Sequence, residues 1–149
     1  PEDGAYTVQL RDSSYSGSGH VYRLRVGTFP RPAAVYPLGG KIGETLEARF
    51  IDEASGDFKQ SIKLPAEPES QFPVLAERDG LVPSPNWVRV SPFPNVLEAE
   101  PNDETANAPV ATGNLPLAFN GILAKPGDAD LFKFTAKKDQ EFEFTVYAL

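Results

Sequence analysis

The sequence predicts an all-β protein built on antiparallel β-sandwich packing, on three observations. Short runs alternate apolar and polar side chains with the two-residue period of a half-buried strand. Fifteen prolines and twelve glycines punctuate 149 residues, enough to impose many turns but short of a low-complexity composition. The one helix-compatible run, Thr105 to Ala111, contains Pro109 and is too short to be stable on its own.

In chain order, residues 5 to 11 place Tyr6, Val8 and Leu10 on one side, and Val21 to Val26 place Tyr22, Leu24 and Val26 opposite Arg23 and Arg25. With the Ser- and Gly-rich turn at 12 to 19 between them, they predict a long-looped hairpin that needs further strands to pack against. Residues 28 to 40, with Pro30, Pro32, Pro37 and Gly39-Gly40, predict an extended linker and a boundary near Thr28. A small sandwich module follows. Its strands carry Leu46, Ala48 and Phe50, then Phe58, Ile62 and Leu64, then Trp87, Val88 and Val90. Five prolines between 65 and 86 predict loops around one short strand there. A second boundary is expected near Pro92-Phe93-Pro94. Beyond it come strands at 117 to 123, at Leu131 to Ala136 with Phe132 and Phe134 on one face, and at Phe142 to Ala148 with Phe142, Phe144, Val146 and Ala148 inward.

Composition limits the function. A net charge of −7 argues against a phosphate-binding surface and so against nucleic acid as a partner. No stretch has the length of apolar sequence a membrane span needs, and the first residues lack a signal-peptide pattern. The absence of cysteine removes disulfides and thiolate chemistry. The start at Pro1, the lack of methionine and the strand-like final residues lead us to expect an excerpt of a longer polypeptide.

Three motifs occur in order: Glu98-Ala99-Glu100-Pro101-Asn102-Asp103, then Gly121-Ile122, then Gly127-Asp128-Ala129-Asp130-Leu131-Phe132-Lys133-Phe134. This succession resembles the opening half of bacterial pre-peptidase C-terminal domains. Ala136-Lys137-Lys138-Asp139-Gln140 resembles a turn of the same family, which often has glycine where Asp139 stands. Asp3-Gly4-Ala5-Tyr6 and Tyr22-Arg23-Leu24 resemble its closing strands. The resemblance covers about half the chain and implies closing strands at 1–28, an immunoglobulin-like spacer at 29–92, and the opening half of a jelly-roll-like sandwich at 93–149. If the chain forms one body, the hairpin at 5 to 26 could instead pair with the strands at 117 to 148 and close a permuted sandwich.

By the same resemblance, Glu98, Glu100, Asn102 and Asp103, joined by Asp128 and Asp130, would hold a structural calcium ion, which takes six to eight oxygen ligands. The competing reading makes 98 to 104 a solvated acidic linker and Gly127-Asp128 an ordinary turn. His20 stands in a loop without a recognisable nucleophile or orienting acid, and no hydrolase or phosphate-loop motif occurs, so the chain reads as non-enzymatic. Tyr15, Tyr36, Trp87 and Phe93 lie near loops, and Tyr15 and Trp87 are the first candidates for a polymer-binding patch. The expectation is a secreted or cell-surface, calcium-stabilised structural or binding module. Its partners would be an extracellular polymer or protein and other domains of the same polypeptide. The alternative is an accessory region that aids folding or substrate attachment of a secreted peptidase or other hydrolase.

Overall fold

The computed structural model describes residues 2–13 and 19–148. Among them are eight strands and no helix: β1 (Ala34–Tyr36), β2 (Gly39–Lys41), β3 (Thr45–Ile51), β4 (Phe58–Lys63), β5 (Glu69–Val74), β6 (Asn86–Ser91), β7 (Asn95–Leu97) and β8 (Ala118–Asn120). The protein is all-β. One sheet has the order β1-β3-β4, antiparallel throughout, and a second has the order β2-β6-β5, with β2 parallel and β5 antiparallel to β6.

The two sheets bury one core between them. Val35, Leu46, Ala48, Phe50, Ile62 and Leu64 come from the first sheet and its edges, and Val74, Ala76, Val82, Val88 and Val90 from the second side. The alternation written in β3 decides its orientation: Leu46, Ala48 and Phe50 are buried, while Glu47 faces outward and accepts a hydrogen bond from the Ser61 hydroxyl of β4. Phe50 is fully buried and stacks on Phe58 at 5.1 Å between ring centroids. Burying one such side chain favours the fold by about 1.5–3 kcal/mol.

The stretch from 28 to 40 is more structured than its prolines suggest, because it supplies both β1 and β2. Strands of three residues fit between prolines. Gly39 permits the pairing of β2 with β6, since a Cβ there would lie 2.1 Å from the Arg89 carbonyl oxygen. Between 65 and 86 the single short strand is β5, on a sheet edge, where Pro73 forgoes a ladder hydrogen bond at little cost. The turn after β3 is organised by Asp52, which is buried. Its carboxylate accepts hydrogen bonds from the Ser55 hydroxyl (2.7 Å) and from the amides of Arg31 (3.1 Å), Ala54 (3.1 Å) and Ser55 (3.2 Å). These donors, the Ser55 hydroxyl foremost, hold the Asp52 carboxyl below the usual carboxylate range.

Both ends depart from the expected strands. Residues 5 to 11 and 21 to 26 enter no ladder, and their apolar side chains, from Tyr6 to Val26, are exposed. Residues 131 to 136 form no strand, their one β-bridge among the described residues being the isolated parallel one of Lys133 with Val110, and 142 to 148 form no strand either. Phe142, Phe144 and Val146 are exposed and do not face inward as expected. Among the described residues no β-pairing joins 5–26 to 117–148, so the permuted sandwich is not formed. The physical reason is common to all four segments: an alternating run becomes a strand only where a neighbour takes up its N–H and C=O groups. The helix-compatible run is a single turn, closed by the amides of Asn107 and Ala108 on the Glu104 carbonyl (2.9 and 3.0 Å). Asp139 has φ of 63°, the left-handed conformation that explains why glycine suits that turn position.

Candidate metal centre

Strands β7 and β8 pair in parallel and seat the C-terminal segment against the sandwich. Asn95 donates its side-chain amide to the Gly39 carbonyl (2.7 Å), and Asn120 donates to Asn95 Oδ1 (3.2 Å). From β1, the Tyr36 hydroxyl donates to the Asn120 carbonyl (3.3 Å). The ladder runs on past Leu97 through the Glu98 amide to the Asn120 carbonyl at 2.9 Å.

This continuation fixes the side chain of Glu98. The amide of Ile122 donates to Oε1 and Oε2 of its carboxylate, at 3.0 and 2.9 Å. Glu98, Glu100 and Asp130 then converge, with one carboxylate oxygen from each within 4.8 Å of the others. Gly121 makes room for them: a Cβ at that position would lie 2.3 Å from Asp130 Oδ2 and 2.8 Å from Glu98 Oε2. Burial, reinforced by the charges of Asp130 and Glu100, pushes the Glu98 carboxyl above its ordinary value, although the Ile122 amide opposes the rise. Tyr36 is affected from the sandwich side. Burial first, and the Glu98 charge second, raise its phenol.

Asn102 lies next to this cluster through its backbone. Its amide donates to Glu100 Oε2 (3.0 Å), and its carbonyl accepts from the amide of Leu131 (3.2 Å), the residue after Asp130. Its side chain is fully buried, and neither the Oδ1 nor the Nδ2 atom has a hydrogen-bond partner; Asp130 Oδ1 is likewise buried without one. Buried polar atoms are normally paired, so these unsatisfied atoms stand out.

Asp103 and Asp128 belong to a second group. Lys125 bridges them, at 3.4 Å to Asp103 and 3.5 Å to Asp128, and Asp103 also accepts from the Ala129 amide at 3.3 Å. That amide, followed by Lys125, holds the Asp103 carboxyl below the carboxylate range. Asp128 accepts from the Ala124 amide, and its own amide donates to the Lys125 carbonyl in the turn that includes Gly127. The six acidic and amide residues therefore divide. Asp103 and Asp128 carry their own cation, whereas Glu98, Glu100 and Asp130 face one another with no Lys or Arg within ion-pair distance among the described residues.

The donor set suits a hard cation. Three carboxylates supply oxygens and negative charge, and the orphaned Asp130 Oδ1 and Asn102 Oδ1 are further oxygens of the kind calcium takes. The sequence alone marks all these acids but gives Tyr36 no part beyond that of an aromatic near a loop. It had Gly121 only as a motif letter. The only signal for Gly121 was a glycine in a strand-like run, where close approach of another group is the usual reason.

Of the two candidate polymer-binding aromatics, Trp87 lies on β6 and is 45% exposed, and Tyr15 lies outside the described residues. Two depressions of about 190 and 230 Å³ open on the surface, near Arg78 and near Asp52; neither adjoins the acidic cluster. No protein-family model matches the chain, and a search of curated proteins and of solved structures gave no significant match.

Proposed function

We propose that this chain is a non-catalytic, calcium-stabilised β-sandwich segment of a secreted multidomain bacterial protein, related to the pre-peptidase C-terminal domains. The observation that carries the reading is the convergence of Glu98, Glu100 and Asp130 around Gly121, beside a buried Asp130 oxygen that no protein group satisfies. A solvated acidic linker would spread its charges into water instead. Glu98, Glu100 and Asp130 would hold the ion, with the Asn102 side-chain oxygen as the next donor, and bound calcium would supply the positive charge that offsets repulsion among the three acids. The consequence is architectural. The residues that follow β7 are held to those that precede Leu131, and through Asn120 and Tyr36 this junction is tied to the sandwich.

Thermal melting with calcium and with a chelator tests the proposal. A ligand bound only by the folded state stabilises it by RT ln(1 + [L]/Kd), about 2.7 kcal/mol at a hundredfold excess over Kd. The melting temperature should climb with calcium and fall back with chelator. A flat response to millimolar calcium refutes the metal role.

A further inference from the structure

Two segments that the sandwich leaves uncovered have matching chemistry. Residues 21 to 26 expose Tyr22, Leu24 and Val26 (77, 48 and 80%) on one side of the alternation and carry Arg23 and Arg25 on the other. Residues 141 to 146 expose Phe142, Phe144 and Val146 (38, 74 and 87%) and carry Glu141 and Glu143 on the opposite side. The rings of Phe142 and Phe144 gather on one face with Phe134, at 5.3 and 6.1 Å from it, so the alternation of this segment is expressed in three dimensions. None of the two arginines and two glutamates forms an ion pair among the described residues.

We propose that residues 21–26 of one copy of this chain add as an antiparallel strand to residues 142–146 of a second copy. The register that places Val26 opposite Phe142 also places Leu24 opposite Phe144 and Tyr22 opposite Val146. On the other face it sets Arg25 opposite Glu143, with Arg23 and Glu141 as diagonal neighbours. The three apolar pairs and the Arg25–Glu143 pair are thus made at once, and a slip by one residue would set arginine against the aromatic face. Strand addition of this kind gives main-chain hydrogen bonds to groups that are otherwise left to water. The two segments are unpaired among the described residues of one chain, so each copy offers both a donor and an acceptor end. The contact is therefore heterologous and joins copies head to tail.

Sedimentation velocity over about 1–200 µM measures the association, which shifts with concentration by mass action. The variants Arg25→Glu and Glu143→Arg each place like charges across the contact. Each should weaken self-association about fivefold, the size of one cross-strand charge pair turned from attraction to repulsion. An equimolar mixture of the two restores opposite charges at every contact and should recover wild-type association, as should the double variant. Neither residue touches the core, and unchanged melting of the sandwich verifies that each variant is folded. Single variants that associate like the wild type, or a mixture that fails to recover, overturn the proposal. A wild type that stays monomeric throughout overturns the second copy as occupant and leaves the face to a strand of another polypeptide.

Discussion

Gly121→Ala isolates the candidate metal centre without altering any charge. The added Cβ would lie 2.3 Å from Asp130 Oδ2, whereas ordinary contacts of this kind lie beyond 3.4 Å, so the carboxylate must retreat by about 1 Å. Glu98 Oε2, at 2.8 Å, must also move, and it is tethered by the Ile122 amide. Calcium–oxygen bonds span only about 2.3–2.6 Å, so displacement on that scale removes at least one ligand. Lost ligand positioning weakens a metal by about 10–100-fold. At a calcium concentration a hundredfold above the wild-type Kd, the stabilisation should drop from about 2.7 kcal/mol to about 0.4 kcal/mol for a hundredfold weaker site. For a chain of this size the calcium-dependent rise in Tm should shrink by about 4–9 °C. The assay is the difference in Tm between calcium and chelator for each protein, which subtracts any general effect of the substitution. A Gly121→Ala variant with the full wild-type calcium shift would refute the reasoning, because the ion would then not sit between Asp130 and Glu98.

Three further outcomes follow from the charges and hydrogen bonds. The folded-state pKa of Glu98 is raised above its ordinary 4.5, so its contribution to metal-free stability is fully present below 4.5 and is lost as pH rises through the folded value. Metal-free protein should gain stability on acidification through that window while calcium affinity falls, and both trends should weaken in Glu98→Gln, as read by chemical denaturation and calorimetric titration. The Tyr36 phenol, raised by burial and next by the Glu98 charge, should titrate lower once calcium neutralises its neighbours; the ultraviolet difference spectrum against Tyr36→Phe reads this, and an unmoved titration opposes it. Asp52 has a lowered folded pKa, so its contribution is present above the unfolded value and is lost as pH falls through the folded one; Asp52→Asn should melt lower than wild type near neutral pH and lose part of its acid dependence.

The two acidic groups place opposite demands on the fold. At Asp103 and Asp128 the sequence supplies Lys125 three residues before Asp128, and the turn is complete with protein groups alone. At Glu98, Glu100 and Asp130 the balancing donors are the Ile122 amide on Glu98 and the Asn102 amide on Glu100, and Asp130 Oδ1 is left without a partner. Only the second arrangement gains from a cation. It stands where the chain leaves the sandwich, so the proposed ion would act on the junction more than on the core around Phe50.

Periodicity alone determined the all-β class and the inward residues of β3, β4 and β6, because a period of two forces Leu46, Ala48 and Phe50, or Val88 and Val90, onto one face whatever surrounds them. The same reasoning overreached at both ends. Tyr22 and Phe144 alternate as well as Phe50 does, but burial is a property of a pair of surfaces, and among the described residues those faces have no partner strand. Proximity in space was likewise out of reach. The sequence offered six oxygen-bearing residues as one set, and only the tertiary structure could divide them, through the reach of Lys125 to Asp103 and Asp128 and the return of Asp130 to Glu98 across Gly121. Spacing along the chain encodes which face a residue takes; which distant face it meets is decided by the folding of the whole chain.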